Sequence, residues 1–450
     1  MKFNKTSQLL LVSAASLLAA GALAACADAT VDFVFVASSQ SAGTNNYGEI
    51  NIYTINQVSG LMRQIPTSPF PSNGRKPVAL AVSQDYTNLY VVNQDDNNIV
   101  QFLIGPDGKI YPQNTVNTPG IFPLAVAVSS TYLFVADTYQ PGSACNPAVP
   151  CSGSVGVFPI LTTAQAQALA EPQIGGTLGA VVANPANPPN GGDYWPLAAT
   201  GKYASDIIVP TGISVLDSGA FLYVSAYDAT ANSGLIFGFS ISSKGILTPL
   251  NGSPYSAGTH PSAVAGEIVN TTNSSTGQIT ENEYVYLTDF TNGNVVGLQS
   301  ETEIDPQCTT PGTPSKCNLV PTGVVDISLP GSPFAAGNQP TAIAIDPNYP
   351  FAFVTNSQDG TVNSYSIGAN GVLTKLGTFQ AGVDPVAIGI DPGTSHFVFT
   401  ANFLGNQAVG TVSDFELNTS SGLLVNAQHS PFNSNLLPTA VAAVPHTPSR

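Results

Sequence analysis

The sequence predicts an all-β fold, a seven-bladed β-propeller, and three observations support this prediction. A proline followed by alternating small and β-branched apolar residues recurs seven times. An aromatic-rich segment with the alternation of a β-strand follows each of the first six prolines. Strand-like segments near the N-terminus have no such proline before them, and they match the strands that are missing after the seventh proline. The seven prolines are Pro77, Pro123, Pro210, Pro261, Pro340, Pro385 and Pro438.

Each repeat carries signals for four strands. In the repeat that opens at Pro340, the second strand is predicted at 351–356 and the third at 361–367, and Gly371 begins a Gly-x-Leu segment typical of the fourth. Clusters of Asn, Asp and Gly between these segments are typical of hairpin turns. The repeat is therefore a four-stranded antiparallel sheet, which is the unit of a propeller.

The seventh repeat is divided between the two ends of the sequence. Pro438 opens a first strand, and few residues follow it. Segments 31–37 and 49–55 have the pattern of the missing second and third strands. We therefore expect one blade shared between the N- and C-termini, which closes the ring and removes an open sheet edge.

The spacing of the repeats predicts where the chain departs from a regular blade. Four spacings lie near the roughly 40–50 residues of a blade, and two longer ones indicate inserts. Within a single domain, 26–450, loop inserts are expected near 138–153, 161–209, 267–283 and 299–322. Strand order places the first two on one face of the ring and the last two on the other. An Ala-rich piece at 163–170 has helical character.

Charged residues are scarce. Lys and Arg number 11 and Asp and Glu number 27, which gives 8% charged residues and a formal net charge of −16. Arginine occurs only at Arg63, Arg75 and Arg450, so no basic stripe exists that could neutralise phosphates. The composition therefore excludes nucleic acid as a partner, and Asn, Ser, Thr and Gln supply the polar surface.

The N-terminal segment has the pattern of an export signal. Lys2 and Lys5 precede an apolar stretch that ends at Leu23-Ala-Ala-Cys26, which resembles a bacterial lipobox. We expect residues 1–25 to be a lipoprotein-type signal peptide and Cys26 to carry lipid, so that the membrane is reached only through this anchor. An ordinary secretory signal or a short transmembrane anchor are the alternatives. Ala27 in place of Asp disfavours retention at the inner membrane, so a periplasmic or outer-membrane-anchored protein is expected.

The remaining four cysteines form two local pairs. Cys145 lies near Cys151, and Cys308 lies near Cys317, each pair within a Pro/Gly-rich loop. Two disulfides are expected, because disulfides persist outside the cytoplasm. Metal binding is the weaker interpretation, because no C-x-x-C spacing supports it. The segment 93–98 is rich in Asn and Asp but lacks calcium-loop spacing, so β-turns are expected there and no metal is predicted.

The chain resembles the seven-bladed propellers of the bacterial lactonase family (the 6-phosphogluconolactonase type) and surface propellers with YVTN-like repeats. The residues that carry the resemblance are Tyr90-Val-Val-Asn93, Phe353-Val-Thr-Asn356, the seven proline starts, and a recurring Ser-Pro-aromatic at Ser68, Ser253, Ser332 and Ser430. The resemblance covers nearly all of the chain after the signal. It implies a lactonase with a substrate site at the channel mouth and no obligatory metal or other cofactor.

Candidate site residues follow from the strand order, which places the residue before each proline at one mouth of the channel. Lactone hydrolysis needs a base to activate water and a donor for the oxyanion. Asp384 and His260 are the candidate bases, and Lys76 is the candidate oxyanion partner. Substrate contacts are expected from Arg75, Gln339, Tyr194 and Trp195, the last two as an aromatic wall on a disulfide-braced cap. The alternative is that all of these are ordinary loop residues bonded to neighbouring turns.

Two functions from different classes remain open. One is an exported, monomeric hydrolase that acts on a sugar lactone or a related ester. The other is a non-catalytic cell-envelope propeller that binds a glycan or a protein. The acidic chain would repel anionic substrates, which favours a neutral ligand in either case.

Overall fold

The structure is a computed structural model that describes residues 30–39, 47–142, 145, 148–169, 175–186, 192–198, 201–216, 218–308, 317–404, 409–434 and 436–446. The predicted signal peptide and Cys26 lie outside these residues. The architecture is an all-β propeller. Within the described residues the helical elements are α1 (Thr163–Ala168) and one 3₁₀ turn (Gly201–Tyr203). The helix expected near 163–170 is therefore confirmed over six residues, and it begins in a capping box between Thr162 and Gln165.

The strands are numbered in chain order. They are β1 (Thr30–Ser39), β2 (Tyr47–Asn56), β3 (Met62–Gln64), β4 (Phe70–Arg75), β5 (Pro77–Val82), β6 (Asn88–Asn93), β7 (Asn98–Ile104), β8 (Ile110–Asn117), β9 (Ile121–Val128), β10 (Tyr132–Tyr139), β11 (Ser154–Pro159), β12 (Trp195–Pro196), β13 (Ile208–Val215), β14 (Phe221–Asp228), β15 (Ser233–Ile241), β16 (Leu247–Pro249) and β17 (Tyr255–Ser256). The second half contains β18 (Pro261–Thr272), β19 (Ile279–Asp289), β20 (Asn294–Gln299), β21 (Thr302–Ile304), β22 (Leu319–Pro321), β23 (Ile327–Ser328), β24 (Phe334–Ala335), β25 (Pro340–Ile345), β26 (Phe351–Asn356), β27 (Thr361–Ile367), β28 (Leu373–Gln380), β29 (Pro385–Ile390), β30 (Phe397–Asn402), β31 (Thr411–Asn418), β32 (Leu423–Asn426), β33 (Phe432–Asn433) and β34 (Leu437–Pro445).

These strands form seven sheets, and each predicted proline lies in the first strand of one of them. We number the sheets by these prolines: sheet 1 is β5–β8, sheet 2 is β9–β12, sheet 3 is β13–β17, sheet 4 is β18–β24, sheet 5 is β25–β28, sheet 6 is β29–β33, and sheet 7 joins β34 to β1–β4. In sheet 7 the C-terminal strand β34 pairs antiparallel with β1, for example Phe35 opposite Ala442. Strands from both ends of the described chain therefore lie in sheet 7.

The first strands of the seven sheets line one central cavity of about 280 Å³. Three hydroxyls in these strands connect neighbouring sheets. Ser262 donates to the Pro340 carbonyl at 2.6 Å, Thr341 to the Pro385 carbonyl at 2.6 Å, and Thr439 to the Pro77 carbonyl at 2.7 Å. Because the last bond joins sheet 7 to sheet 1, the two ends of the sheet series are in direct contact.

The core lies between adjacent sheets and is built on their second strands. Each second strand buries at least one aromatic ring completely. Full burial of such a side chain stabilises the fold by roughly 1.5–3 kcal/mol relative to exposure. Three of these rings are tyrosines whose hydroxyls donate to a glycine carbonyl of the next sheet, so the same residues pack and register the sheets. The seven rings are Phe35, Tyr90, Phe134, Tyr223, Tyr286, Phe353 and Phe399.

The Ser-Pro-aromatic motif has a structural role in four sheets. In each, the serine hydroxyl accepts a hydrogen bond from a backbone amide of the third strand at 2.9–3.0 Å, where a fourth-strand carbonyl would otherwise accept. The peptide bond before each of these prolines is cis. In the same four sheets the outer strand is split into two pieces, β3 and β4, β16 and β17, β23 and β24, and β32 and β33. The outer strands β8 and β28, in the sheets without the motif, are continuous over eight residues.

Two features predicted for the inserts lie within the described residues, namely the disulfides and the segment 267–283. The pairs Cys145–Cys151 and Cys308–Cys317 are disulfides, as expected. The loop expected at 267–283 is instead an extension of the β18–β19 hairpin, which pairs as far as Thr272 opposite Ile279. The reason is that residues 268–272 are largely β-branched and therefore continue the strand.

Candidate functional site

We call the residue immediately before each first-strand proline the rim position. Five residues at this position concern the site. They are Lys76, Phe122, His260, Gln339 and Asp384. In each case the turn after the second strand binds the carbonyl of the rim residue, at 2.6–2.9 Å. The repeat thus fixes the backbone at the mouth and leaves the side chain to vary.

Four of these rim residues have a left-handed backbone. The φ angle is 54° at Lys76, 56° at Phe122, 52° at Gln339 and 57° at Asp384. Positive φ is uncommon for residues other than glycine and costs free energy, and such residues cluster at functional sites. The mouth is therefore the part of the described chain where local strain and side-chain variety coincide.

His260 lies in an aromatic stack. Its imidazole packs on the ring of Tyr227 with centroids 4.2 Å apart and planes inclined by 22°, and on Phe290 at 5.9 Å and 57°. Asp289 holds the backbone beneath it by accepting from the amides of Thr259 at 2.7 Å and His260 at 3.2 Å. Within the described residues no hydrogen bond reaches either ring nitrogen, so stacking alone orients the imidazole.

Burial lowers the pKa of His260, and the Asp289 carboxylate opposes this shift. The group is therefore neutral at pH 7. A neutral imidazole has one nitrogen that accepts and one that donates. His260 can consequently take a proton from water, as a general base must.

A cavity of about 370 Å³ opens at the mouth beside this stack. Of the predicted site residues, only His260 lines it. The other lining residues are hydroxyl-bearing or apolar: Thr211, Pro261, Ser262, Phe290, Thr341 and Val386. Asp384 and Lys76 do not line this cavity, so the structure does not bring the three predicted catalytic residues together there.

The hydroxyl protons in the cavity wall are already donated within the protein. Ser262 donates to Pro340, Thr341 donates to Pro385, and Thr211 donates to the Ser225 hydroxyl at 3.0 Å. A ligand in the cavity therefore meets oxygen lone pairs, hydrocarbon and the His260 imidazole.

Asp384 and Gln339 lie at their rim positions with side chains that form no hydrogen bond within the described residues. Burial raises the pKa of the Asp384 carboxyl. The Phe403 amide donates to the Asp384 carbonyl at 2.8 Å. Gln339 is exposed, and its carbonyl accepts from Ser357.

Arg75 is engaged by a neighbouring turn. Its Nε donates to Asp96 Oδ1 at 2.6 Å, its backbone amide donates to Oδ2 at 2.7 Å, and a terminal nitrogen donates to the Asp95 carbonyl at 3.1 Å. The Asp96 carboxylate raises the pKa of this guanidinium. Lys76 beside it is exposed. The only arginine predicted at the mouth is therefore paired within the protein.

The prediction that Trp195 forms an aromatic wall of the site is wrong. Trp195 is buried, with 4% of its surface exposed, and its indole donates to the Leu247 carbonyl at 2.9 Å. It lies in β12, the outer strand of sheet 2, and packs against sheet 3 because a large apolar ring gains more from burial there than from exposure. Tyr194 does not line the mouth cavity, and its carbonyl accepts from Asn184 at 3.0 Å.

Sequence reasoning missed Phe290 and Tyr227. Phe290 directly follows Asp289, the last residue of the second strand β19. The repeat could have indicated it, because the residue that binds the rim carbonyl must lie beside the rim side chain. Tyr227 gives no comparable signal, since its contact with His260 depends on how sheets 3 and 4 pack.

Neither a metal centre nor a membrane-spanning helix is found in the described part of the chain. No cluster of three or more His, Cys, Asp or Glu there could hold a metal ion. In the segment 93–98 the polar groups bond to one another and to Arg75, for example Asn93 to Asn98 at 3.0 Å. No helix among the described residues is long and apolar enough to cross a membrane.

Comparison with known proteins gives a partial family match. The family model "Lactonase, 7-bladed beta-propeller" matches residues 322–435, about a quarter of the chain. The matched segment contains Gln339 and Asp384 but not His260 or Lys76. No curated protein matches the sequence.

Several solved structures share the fold over almost the whole chain. A putative 6-phosphogluconolactonase from Bacteroides fragilis superposes with a TM-score of 0.59 at 17% identity, covering 92% of this chain and 98% of that one. The periplasmic gluconolactonase of Pseudomonas aeruginosa gives 0.60 at 16% identity, covering 92% and 99%. A putative 6-phosphogluconolactonase from Bacteroides uniformis gives 0.57 at 17%, covering 92% and 100%. At these identities the solved structures show the fold. Together with the family match they support a lactonase-type propeller.

Proposed function

We propose that the chain is an exported lactonase-type hydrolase that opens a sugar lactone or a related ester at the mouth of the channel. The observation that carries the proposal is His260, a neutral imidazole with unbonded ring nitrogens that lines the mouth cavity. The family match and the superposed lactonases support the reaction class.

In the proposed reaction His260 removes a proton from a water molecule while the water oxygen bonds to the lactone carbonyl carbon. The resulting tetrahedral intermediate collapses with cleavage of the ring C–O bond. The imidazolium returns the proton to the departing ring oxygen, which leaves a hydroxy acid. Asp384 is the second candidate base, and Lys76, Arg75 and Gln339 are the candidate contacts for the oxyanion or for substrate groups that extend over the rim.

The proposal includes the finer architecture. The seven sheets are seven blades of a closed ring, with sheet 7 as the blade that both termini share. The β34–β1 pairing and the Thr439 bond to Pro77 support this. A closed ring holds the seven rim positions in one fixed circle, which a site assembled from several blades requires.

The proposal also includes export and anchoring through Cys26. Two disulfides support an oxidising compartment, and one superposed lactonase is a periplasmic protein. A Cys26→Ala variant should move from the membrane fraction to the soluble envelope fraction as a monomer. Mass spectrometry of the native N-terminus should show lipid on Cys26, and an unmodified Cys26 would overturn the anchor.

The alternative function is a non-catalytic cell-envelope propeller that binds a glycan or a protein. The observation in its favour is that the hydroxyl protons in the cavity wall are already donated, so they cannot stabilise an oxyanion. The two functions differ in whether lactone opening depends on His260.

Proton release from D-glucono-1,5-lactone and dihydrocoumarin, corrected for spontaneous hydrolysis, separates these functions. We expect His260→Ala to lower kcat/KM at least about 100-fold, the usual contribution of a general base. His429→Ala, which removes an exposed histidine outside the mouth cavity, is the matched control and should retain full activity. No hydrolysis by the wild-type protein, or equal rates in both variants, would overturn the proposed function.

A further inference from the structure

We infer that the mouth cavity selects an uncharged lactone or ester with an aryl or alkyl body, and that phosphorylated or carboxylated lactones are poor ligands. The reaction in this inference rests on the proposed function. The binding preference does not depend on it. It distinguishes the chain from the 6-phosphogluconolactonases that it resembles in fold.

The cavity wall is mostly hydrocarbon. Phe290, Val386 and Pro261 supply apolar surface, and the only titratable lining residue is His260, which is neutral. The volume of about 370 Å³ lies at the lower end of the roughly 300–1,000 Å³ of ligand pockets. A compact ring system therefore fits, and burial of its apolar surface against Phe290 favours binding.

The hydrogen-bonding capacity of the wall is unsuited to an anion. The hydroxyls of Thr211, Ser262 and Thr341 donate their protons within the protein and present lone pairs to the cavity. A phosphate or carboxylate needs hydrogen-bond donors or cations. An anion buried without them loses the free energy of its hydration and gains no hydrogen bond or ion pair in return. A lactone carbonyl carries no formal charge, so it does not lose the hydration of an ion when it enters such a cavity.

The charges around the cavity also disfavour an anionic ligand. Arg75 is paired with the Asp96 carboxylate and also donates to the Asp95 backbone carbonyl. Asp289 lies directly beneath the His260 backbone, and Asp384 occupies the rim position of sheet 6, two sheets along from His260. Like charge repels an approaching anion, and the net charge of −16 adds to this repulsion. Lys76 is exposed at the rim but does not line the cavity.

The test compares three lactones at matched concentration: dihydrocoumarin, D-glucono-1,5-lactone and its 6-phosphate. We expect kcat/KM for dihydrocoumarin to exceed that for the phosphorylated lactone at least about 100-fold, which is the cost of burying an unpaired anion. Phe290→Ala should lower the dihydrocoumarin value about tenfold and change the gluconolactone value less.

A charge-gain variant sharpens the test. Val386→Lys places an ammonium in the cavity and should raise kcat/KM for the phosphorylated lactone about tenfold, whereas Val383→Lys, at an exposed position three residues away, should not.

Hydrolysis of the phosphorylated lactone at a rate equal to or above that of the uncharged ones would overturn the inference and leave the proposed function intact. If the wild-type protein opens no lactone, the proposed function fails. Titration calorimetry with dihydrocoumarin and with 6-phosphogluconate then decides the inference, and tighter binding of the anion would overturn it.

Discussion

The rims of sheets 1 and 4 are ordered by carboxylates at two different places: Asp96 lies three residues beyond the end of β6, whereas Asp289 is itself the last residue of β19. In sheet 1, Asp96 accepts from the backbone amide of Arg75 and also from its guanidinium. In sheet 4, Asp289 accepts from the backbone amides of Thr259 and His260 and leaves the imidazole unbonded. A carboxylate that binds the rim backbone but not the rim side chain orders the loop and leaves that side chain available. One that also binds the side chain removes that charge from the mouth.

The largest effect is expected from removing the sheet 4 carboxylate. Asp289 is almost fully buried and accepts from four backbone amides and from the Asn292 side chain. Asp289→Ala should lower the free energy of unfolding by about 3 kcal/mol, because buried amides lose a charged acceptor. Urea unfolding measures this, and Asp96→Ala, which removes one amide contact and a partly exposed ion pair, should have a smaller effect. Equal losses would contradict the comparison.

A second effect concerns the stack that holds His260. Tyr227→Ala removes the ring at 4.2 Å from the imidazole and should lower kcat/KM about tenfold, the equivalent of one aromatic contact. Tyr227→Phe keeps the ring and should restore most of the activity. If the phenylalanine variant is as impaired as the alanine variant, the tyrosine hydroxyl rather than stacking is responsible.

The pH dependence follows from the direction of the His260 shift. Because burial lowers its pKa below the usual value of about 6.5, the neutral form persists to lower pH. Activity should therefore rise with pH through this lowered pKa, so that the midpoint of the rise lies below about pH 6.5. The pH profile of kcat/KM measures this limb, and Tyr227→Ala, which exposes the imidazole, should shift the limb to higher pH. A limb centred above pH 7 would contradict the assignment.

The smallest effect is expected at the sheet 1 rim. Because Arg75 is bound by Asp96, Arg75→Ala should change kcat/KM for an uncharged lactone by less than about twofold. Asp384→Asn should behave similarly, since Asp384 does not line the mouth cavity. A tenfold loss in either variant would place that residue in the site.

The repeat made most of the fold predictable, whereas the contents of the site depended on packing between sheets. Alternating small and β-branched residues after Pro340 predict a strand because their period of two matches the alternation of side chains along a strand, and the structure has β25 there. The same reasoning placed His260 at the mouth. It could not show that Trp195 is buried against sheet 3 or that Tyr227 meets His260, because these contacts join residues of different sheets. It also could not show that Arg75 is paired, since Asp96 lies in a turn whose geometry no periodicity specifies.

The serines that interrupt the outer strands bear on how the molecule avoids self-association. A propeller exposes one outer edge per blade, and a continuous edge is a template for pairing with another chain. Proteins commonly protect such edges with lysine, but this sequence has 11 Lys and Arg in 450 residues. Four of its seven edges are instead broken where a serine hydroxyl replaces a backbone acceptor and a proline that has no N–H follows. Resistance to aggregation would thus be achieved largely without charge, and the edges β8 and β28, which lack the motif, each carry a shift in pairing register instead.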